Sequence, residues 1–155
     1  MIERLRITGE ETRLWLLAKL TLFSSIYGLV LINYIDVLPR NWAPGYHGWL
    51  IAMYFVPFIT FSILHPEDWE ITISLGLYAS LMNDLFYAIW AYFLRGIDLC
   101  RYYYLYLVPQ DVFLGWEVDL GFVRIPVYSW LMALSIYARI VVVYLLLLKW
   151  WRERR

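Results

Sequence analysis

Four long apolar stretches, residues 14–35, 48–64, 71–94 and 125–148, constrain this chain more than any other feature. Each is near the roughly 20 residues that carry a helix across a hydrocarbon core. They raise the hydrophobic share to 63% and the aromatic share to 20%, whereas ordinary soluble domains are about 45–50% apolar. The expected fold class is an all-α membrane protein, integral and multi-pass. It is a four-transmembrane-helix bundle forming one domain over residues 1–155, with those four stretches as its spans.

The first stretch reads as a span rather than a cleaved signal. Its apolar core exceeds the roughly 7–15 residues of a signal peptide, and IDVLPR lacks a small-residue cleavage pattern. Lys and Arg gather at both ends: Arg4, Arg6 and Arg13 before the first span, and Lys149, Arg152, Arg154 and Arg155 after the last. Both termini are thus expected to be cytoplasmic, with an even number of crossings. Residues 65–70 are then cytoplasmic, and residues 36–47 and 97–124 lie outside, the latter as a short extracytoplasmic cap.

Turn residues punctuate the pattern as helix ends require. Pro39 and Pro44 follow the first span, Pro66 follows the second, and Arg95-Gly96 closes the third. Pro57, inside the second, is expected to bend it. In the cap, CRYYYLYLV suits either a helix or a strand. WEVDLGF alternates as a strand does, and a hairpin turning near residues 109–111 follows from it. A fifth membrane segment is the rival reading, opposed by Asp111, Glu117 and Asp119.

Within the third span, Gly76, Ala79, Ser80, Asn83, Asp84 and Tyr87 fall along one side at helical spacing. Small and polar residues mark the face turned to other helices, because lipid offers polar groups no partner. In the fourth, Tyr128, Met132, Ser135 and Arg139 form a comparable stripe. At 1.5 Å per residue, Asp84 stands roughly 21 Å above Glu70 and Arg139 roughly 15 Å above Lys149, a difference an arginine side chain can bridge. Asp84, Arg139 and Asn83 are the expected polar centre. Intramembrane ionisable residues are functional candidates, although a pair of opposite charges can also act only as a register lock between helices. Lys19 lies close enough to the cytoplasmic end to snorkel.

Other groups point less specifically. His47 and His65 stand roughly 27 Å apart across the second span, which excludes one haem ligated by both. His65, Glu67 and Asp68 offer metal-ligand types, but Glu67, Asp68 and Glu70 at the start of the third span are expected to cap that helix instead. Asp111, Glu117 and Asp119 resemble a solvated face more than a divalent-cation site. There is no Gly-rich phosphate loop, Cys–His metal spacing, GxSxG, HExxH or DDxxD motif, so no catalytic, cofactor-binding or metal residue is assigned and the cofactor is unknown.

Trp42, Trp49, Trp69, Trp116, Trp130, Trp150 and Trp151 fall near helix ends, as interfacial belts do. Tyr78, Tyr87, Trp90 and Tyr92 are candidates to line a lipid-binding pocket. Cys100 is alone, which rules out an intrachain disulfide. One Gln and three Asn fit a thermophilic source. Zero net charge without a basic stripe gives no reason to expect nucleic acid.

Three functions follow as expectations. The first is transport or binding of a proton, ion or small solute at the Asp/Arg centre. The second is an enzyme acting on a lipid, with the loop or cap acids as its chemistry. The third is a non-catalytic subunit or assembly factor of a larger membrane complex, presenting Thr21, Ser25 and Gly28 for packing. The expected partners are the lipid bilayer and either further copies of the chain or a larger complex.

Overall fold

One helix of this protein carries too many polar residues to face lipid alone and too many apolar ones to face water, so it lies in the middle. That helix, α4 (Trp69–Arg95), buries twelve residues, among them Thr72, Ser74, Gly76, Ala79, Ser80 and Asn83. A computed structural model describes residues 2–37, 46–105, 107–108, 111–119 and 124–153. The protein is mostly helical, and its long helices pack around α4.

The chain begins with α1 (Ile2–Ile26), continues through a π-helical segment (Tyr27–Ile32) and ends this rod with α2 (Asn33–Val37). Ile26 and Asn33, at the two junctions, keep right-handed helical dihedrals, so the rod does not break. The wider turn is stabilised by side chains that take over its carbonyls. Asn33 Nδ2 donates to the Gly28 and Leu29 oxygens at 3.1 Å, and Trp90 Nε1 donates to the Leu29 oxygen at 2.7 Å. Gly28 meets α4 so closely that an added Cβ would lie 2.1 Å from the Ala79 carbonyl oxygen.

Helix α3 (Tyr46–Leu64) contains Pro57. Proline has no N–H, so the carbonyl four residues earlier loses its helical donor. That carbonyl, Met53, accepts the Tyr27 hydroxyl at 2.6 Å instead. The α3–α4 contact is antiparallel: Phe58 packs where a Cβ on Gly76 would lie 3.2 Å away, and the Ser62 and Thr72 hydroxyls bond one turn further along.

A 3-10 turn, Pro66–Asp68, leads into α4. The sequence assigns the acids of this loop to capping, but Asp68 makes no side-chain cap bond. Its carboxylate instead accepts Trp150 Nε1 at 2.9 Å, while buried Glu70 receives Lys149 Nζ at 2.9 Å. Trp150 is therefore a core residue, only 2% exposed, rather than an interfacial anchor. Trp69 and Trp130 are exposed at their helix ends. Trp150→Phe is expected to lower stability by about 2 kcal/mol through loss of a bond to a charged acceptor, measurable as a drop in unfolding midpoint.

Gly96, at φ +66°, ends α4 in the left-handed conformation that glycine adopts without penalty. Helix α5 (Leu99–Leu105) then folds back, donating Tyr102 and Tyr103 hydroxyls to the Asp84 and Leu85 carbonyls at 3.1 and 2.7 Å. Seven residues are far too few to cross a membrane.

Strands β1 (Val112–Asp119) and β2 (Arg124–Tyr128) pair antiparallel, with Asp119 opposite Arg124. The hairpin thus reverses after Asp119, not near residues 109–111 as its sequence suggests. The fourth apolar stretch is also divided. Its first residues, Ile125–Tyr128, belong to β2, and helix α6 (Ser129–Glu153) begins where Ser129 bonds the Asp111 carbonyl. Pro126 is accommodated in this two-stranded ribbon because proline tolerates a sheet edge.

Two stretches, Thr12–Val37 and Ser129–Glu153, are long and apolar enough to cross a membrane, whereas the apolar part of α3 among the described residues, Ala52–Leu64, is shorter.

Candidate functional site

Helix α6 packs antiparallel on α4, and two ion pairs set their register. Lys149 meets Glu70 near one end, and Arg139 meets Asp84 further along. The pairs are separated by fourteen residues on α4 but ten on α6, about 21 and 15 Å of helix. Side-chain reach absorbs the difference.

All three guanidinium nitrogens of Arg139 are hydrogen-bonded. Its Nη2 bonds Asp84 Oδ2 and Ser135 Oγ, its Nη1 bonds Ser80 Oγ at 3.0 Å, and its Nε bonds the Ser135 carbonyl at 3.2 Å. Ser135 and Arg139 lie four apart, so they share one face of α6. The guanidinium is thereby fixed in place, and Asp84 with it. The structure brings Asp84 and Arg139 together as the two stripes imply.

The sequence places Asp36 in an outer loop, but it forms the last turn of the first rod and is only 7% exposed. Asn83 Nδ2 donates to its Oδ2 at 3.1 Å. Asn83 itself is 2% exposed, and its own Oδ1 is buried without a hydrogen-bond partner among the described residues. Asp36 therefore joins Asn83, Asp84 and Arg139 in one centre. Among the described residues, the centre holds two carboxylates and a single guanidinium, which bonds Asp84. The signal available in the sequence was the i, i+3 pair Asn33 and Asp36, continuing the buried side of the rod beyond Gly28.

The four residues line a cleft of ≈340 Å³, walled also by Leu50, Tyr54, Phe55, Ser80, Met132 and Ser135. Four elements supply this wall: α2, α3, α4 and α6. The carboxylates lie within electrostatic reach of each other. With both carboxylates ionised, the arrangement would hold one negative charge more than positive, in a setting that penalises unbalanced charge. Chemically, it is suited to hold a small cation.

The remaining candidates are scattered. His65 is exposed and stands 3.5 Å from Glu67, while the His47 side chain lies outside the described residues. Asp111 sits ahead of β1 and Glu117 well along it, roughly 20 Å apart on an extended strand. Lys19 is exposed. Tyr78, Tyr87, Trp90 and Tyr92 do not gather around one pocket: Tyr78 shares a hydroxyl bond with Ser25, Tyr87 stacks on Tyr102, Trp90 reaches Leu29 and Tyr92 is exposed. Ser25 and Gly28 are spent on contacts within the chain and are not free for a partner subunit. No group of three or more His, Cys, Asp or Glu able to hold a metal occurs among the described residues.

The fold and centre define a class: a helical bundle around one polar helix, with an internal cluster of two acids, an amide and an arginine. No protein-family model matches the chain, and no curated protein or solved structure is similar to it.

Proposed function

We propose that this is a four-span integral membrane protein whose centre binds a small monovalent cation and passes it across the bilayer. The first rod, α3, α4 and α6 are the spans, with both termini cytoplasmic and residues 97–124 as the outer cap. The partner covering the bundle is lipid. Supporting this are exposed apolar side chains on three helices: Leu22, Phe23 and Ile26; Val56, Ile59 and Phe61; Leu134, Tyr137 and Val141. Contiguous surfaces of this kind are rare on soluble monomers. The alternation of direction from α3 to α4 to α6, visible in their paired contacts, suits successive crossings.

One observation carries the functional reading. Asp36 is buried in a cleft beside Asn83 while the centre's arginine is committed to Asp84. Asp84 and Arg139 tie α4 to α6, and Asp36 supplies the charge that a passing cation balances. In liposomes, the wild-type protein is expected to dissipate an imposed cation or pH gradient. Asp36→Asn, unfolding at a similar midpoint, is expected to abolish that flux. Equal flux from both proteins would remove this reading.

A further inference from the structure

The cation could be a metal ion or a proton, and the groups lining the cleft favour one of them. Hard metal cations gather about six or more oxygens at fixed distances. In the cleft, Ser80, Asp84 and Ser135 already receive Arg139, and Leu50, Phe55 and Met132 provide no oxygen ligand from their side chains. That leaves the two Asp36 oxygens, Asn83 Oδ1 and the Tyr54 hydroxyl, fewer than six. A metal ion seated there would exchange its water for an incomplete shell. A proton needs only one donor oxygen and one acceptor.

Both are in place. The Asn83 amide donates its N–H to Asp36 Oδ2, and the same amide carries a buried oxygen without a partner. A carboxylic acid facing a primary amide can make two reciprocal bonds: amide N–H to acid oxygen, and acid O–H to amide oxygen. The first is formed, and the second is the bond that the orphaned acceptor lacks. Leaving a buried acceptor unsatisfied is costly, so closing the second bond favours the protonated state.

We propose that the transported cation is a proton, carried on Asp36 and held by a hydrogen bond to Oδ1 of Asn83. This rests on the reading of the centre as a cation-passing site. A lone pair of Asp36 Oδ1 forms the new O–H bond as the O–H bond of a solvent hydronium breaks, leaving water. Release reverses the step, and no oxidant, reductant or other co-reactant takes part. The groups facing Asp36 are Asn83 and Asp84 from α4, Arg139 from α6, Tyr54 from α3 and Asn33 from its own helix. Arg139 is engaged by Asp84, so the proton is the counter-charge left to Asp36.

Infrared difference spectra of the protein in lipid, between acidic and alkaline buffer, test this. The wild type is expected to show one protonated-carboxyl carbonyl band that shifts in D2O and is unchanged between sodium, lithium, potassium and choline salts. Asp36→Asn is expected to lose it. Persistence of the band in Asp36→Asn overturns the assignment to that residue. Absence of any band, together with spectral change or flux dependent on sodium or lithium, overturns the proton while leaving cation passage intact. Unaltered flux in Asp36→Asn is the separate result that removes cation passage at this centre.

Discussion

Arg139→Met is expected to lower the unfolding free energy by about 3 kcal/mol, the lower part of the range for breaking a buried pair from one side. The lower part applies because the Arg139 and Asp84 side chains retain 18% and 21% exposure. The loss does not come from missing attraction alone. Asp84 would remain in the cleft beside Asp36 with no guanidinium near it, and Ser80 and Ser135 would each lose a donor. Adding Asp84→Leu to Arg139→Met is expected to restore much of the loss, because a pair replaced on both sides leaves no stranded charge. Denaturant titration in detergent micelles measures both. A double variant as unstable as the sum of the singles would show that the two residues do not act as a pair.

Gly28→Leu is expected to be the most damaging single change, with a loss of about 3 kcal/mol or more, or no folded protein at all. Overpacking commonly costs about 1–3 kcal/mol where side chains can move aside. Here the obstacle is the Ala79 carbonyl of α4, 2.1 Å from the new Cβ, with the Ala79 Cα and carbonyl carbon also within 3 Å. Backbone cannot rotate away as a side chain does. The rod would have to withdraw from α4, carrying Asn33 off Met82 and Asp36 off Asn83. Gly76→Ala makes the contrast, since a Cβ there meets only the Phe58 side chain at 3.2 Å. Unfolding midpoints of the two variants should therefore differ widely, and a mild effect at Gly28 would mean the helices can separate cheaply.

Helix periodicity is legible wherever a helix has one polar or small-residue side. Gly76, Ala79, Ser80 and Asn83 mark the packed face of α4, and Ser135 and Arg139 mark that of α6. The helical rise alone is enough to put Asp84 within Arg139's reach. Asp36 is less visible, because its neighbours Val37 to Pro39 resemble a span ending and a loop starting. Its burial depends on α4 lying alongside, a contact between residues 47 apart. The π-helical turn has no local signature either; Asn33 and Trp90 stabilise it from positions that periodicity does not connect. At Ile125–Tyr128 an apolar run permits both helix and strand, and Pro126 does not decide between them, since the first turn of a helix also accepts proline. The loop acids do stand at the start of α4, Asp68 as its N-cap residue and Glu70 in its first turn, but the side-chain partners of these two, Trp150 and Lys149, lie on α6, a contact no local pattern reveals.

On the proposed reading, water reaches the cleft that holds Asp36, Asn83, Asp84 and Arg139, between helices whose outer faces meet lipid. Thiol labelling in intact membranes tests it most directly, using a charged, membrane-impermeant reagent on Ser135→Cys and Leu134→Cys, each with Cys100→Ser. These adjacent positions on α6 differ in surroundings: Ser135 lines the cleft and Leu134 is exposed on the outer apolar face. Thiolate must form in water to react. Rapid labelling at position 135 with protection at 134 is the expected result. Labelling at 134 as fast as at 135, or protection of both, would contradict a wet centre inside a lipid-covered bundle.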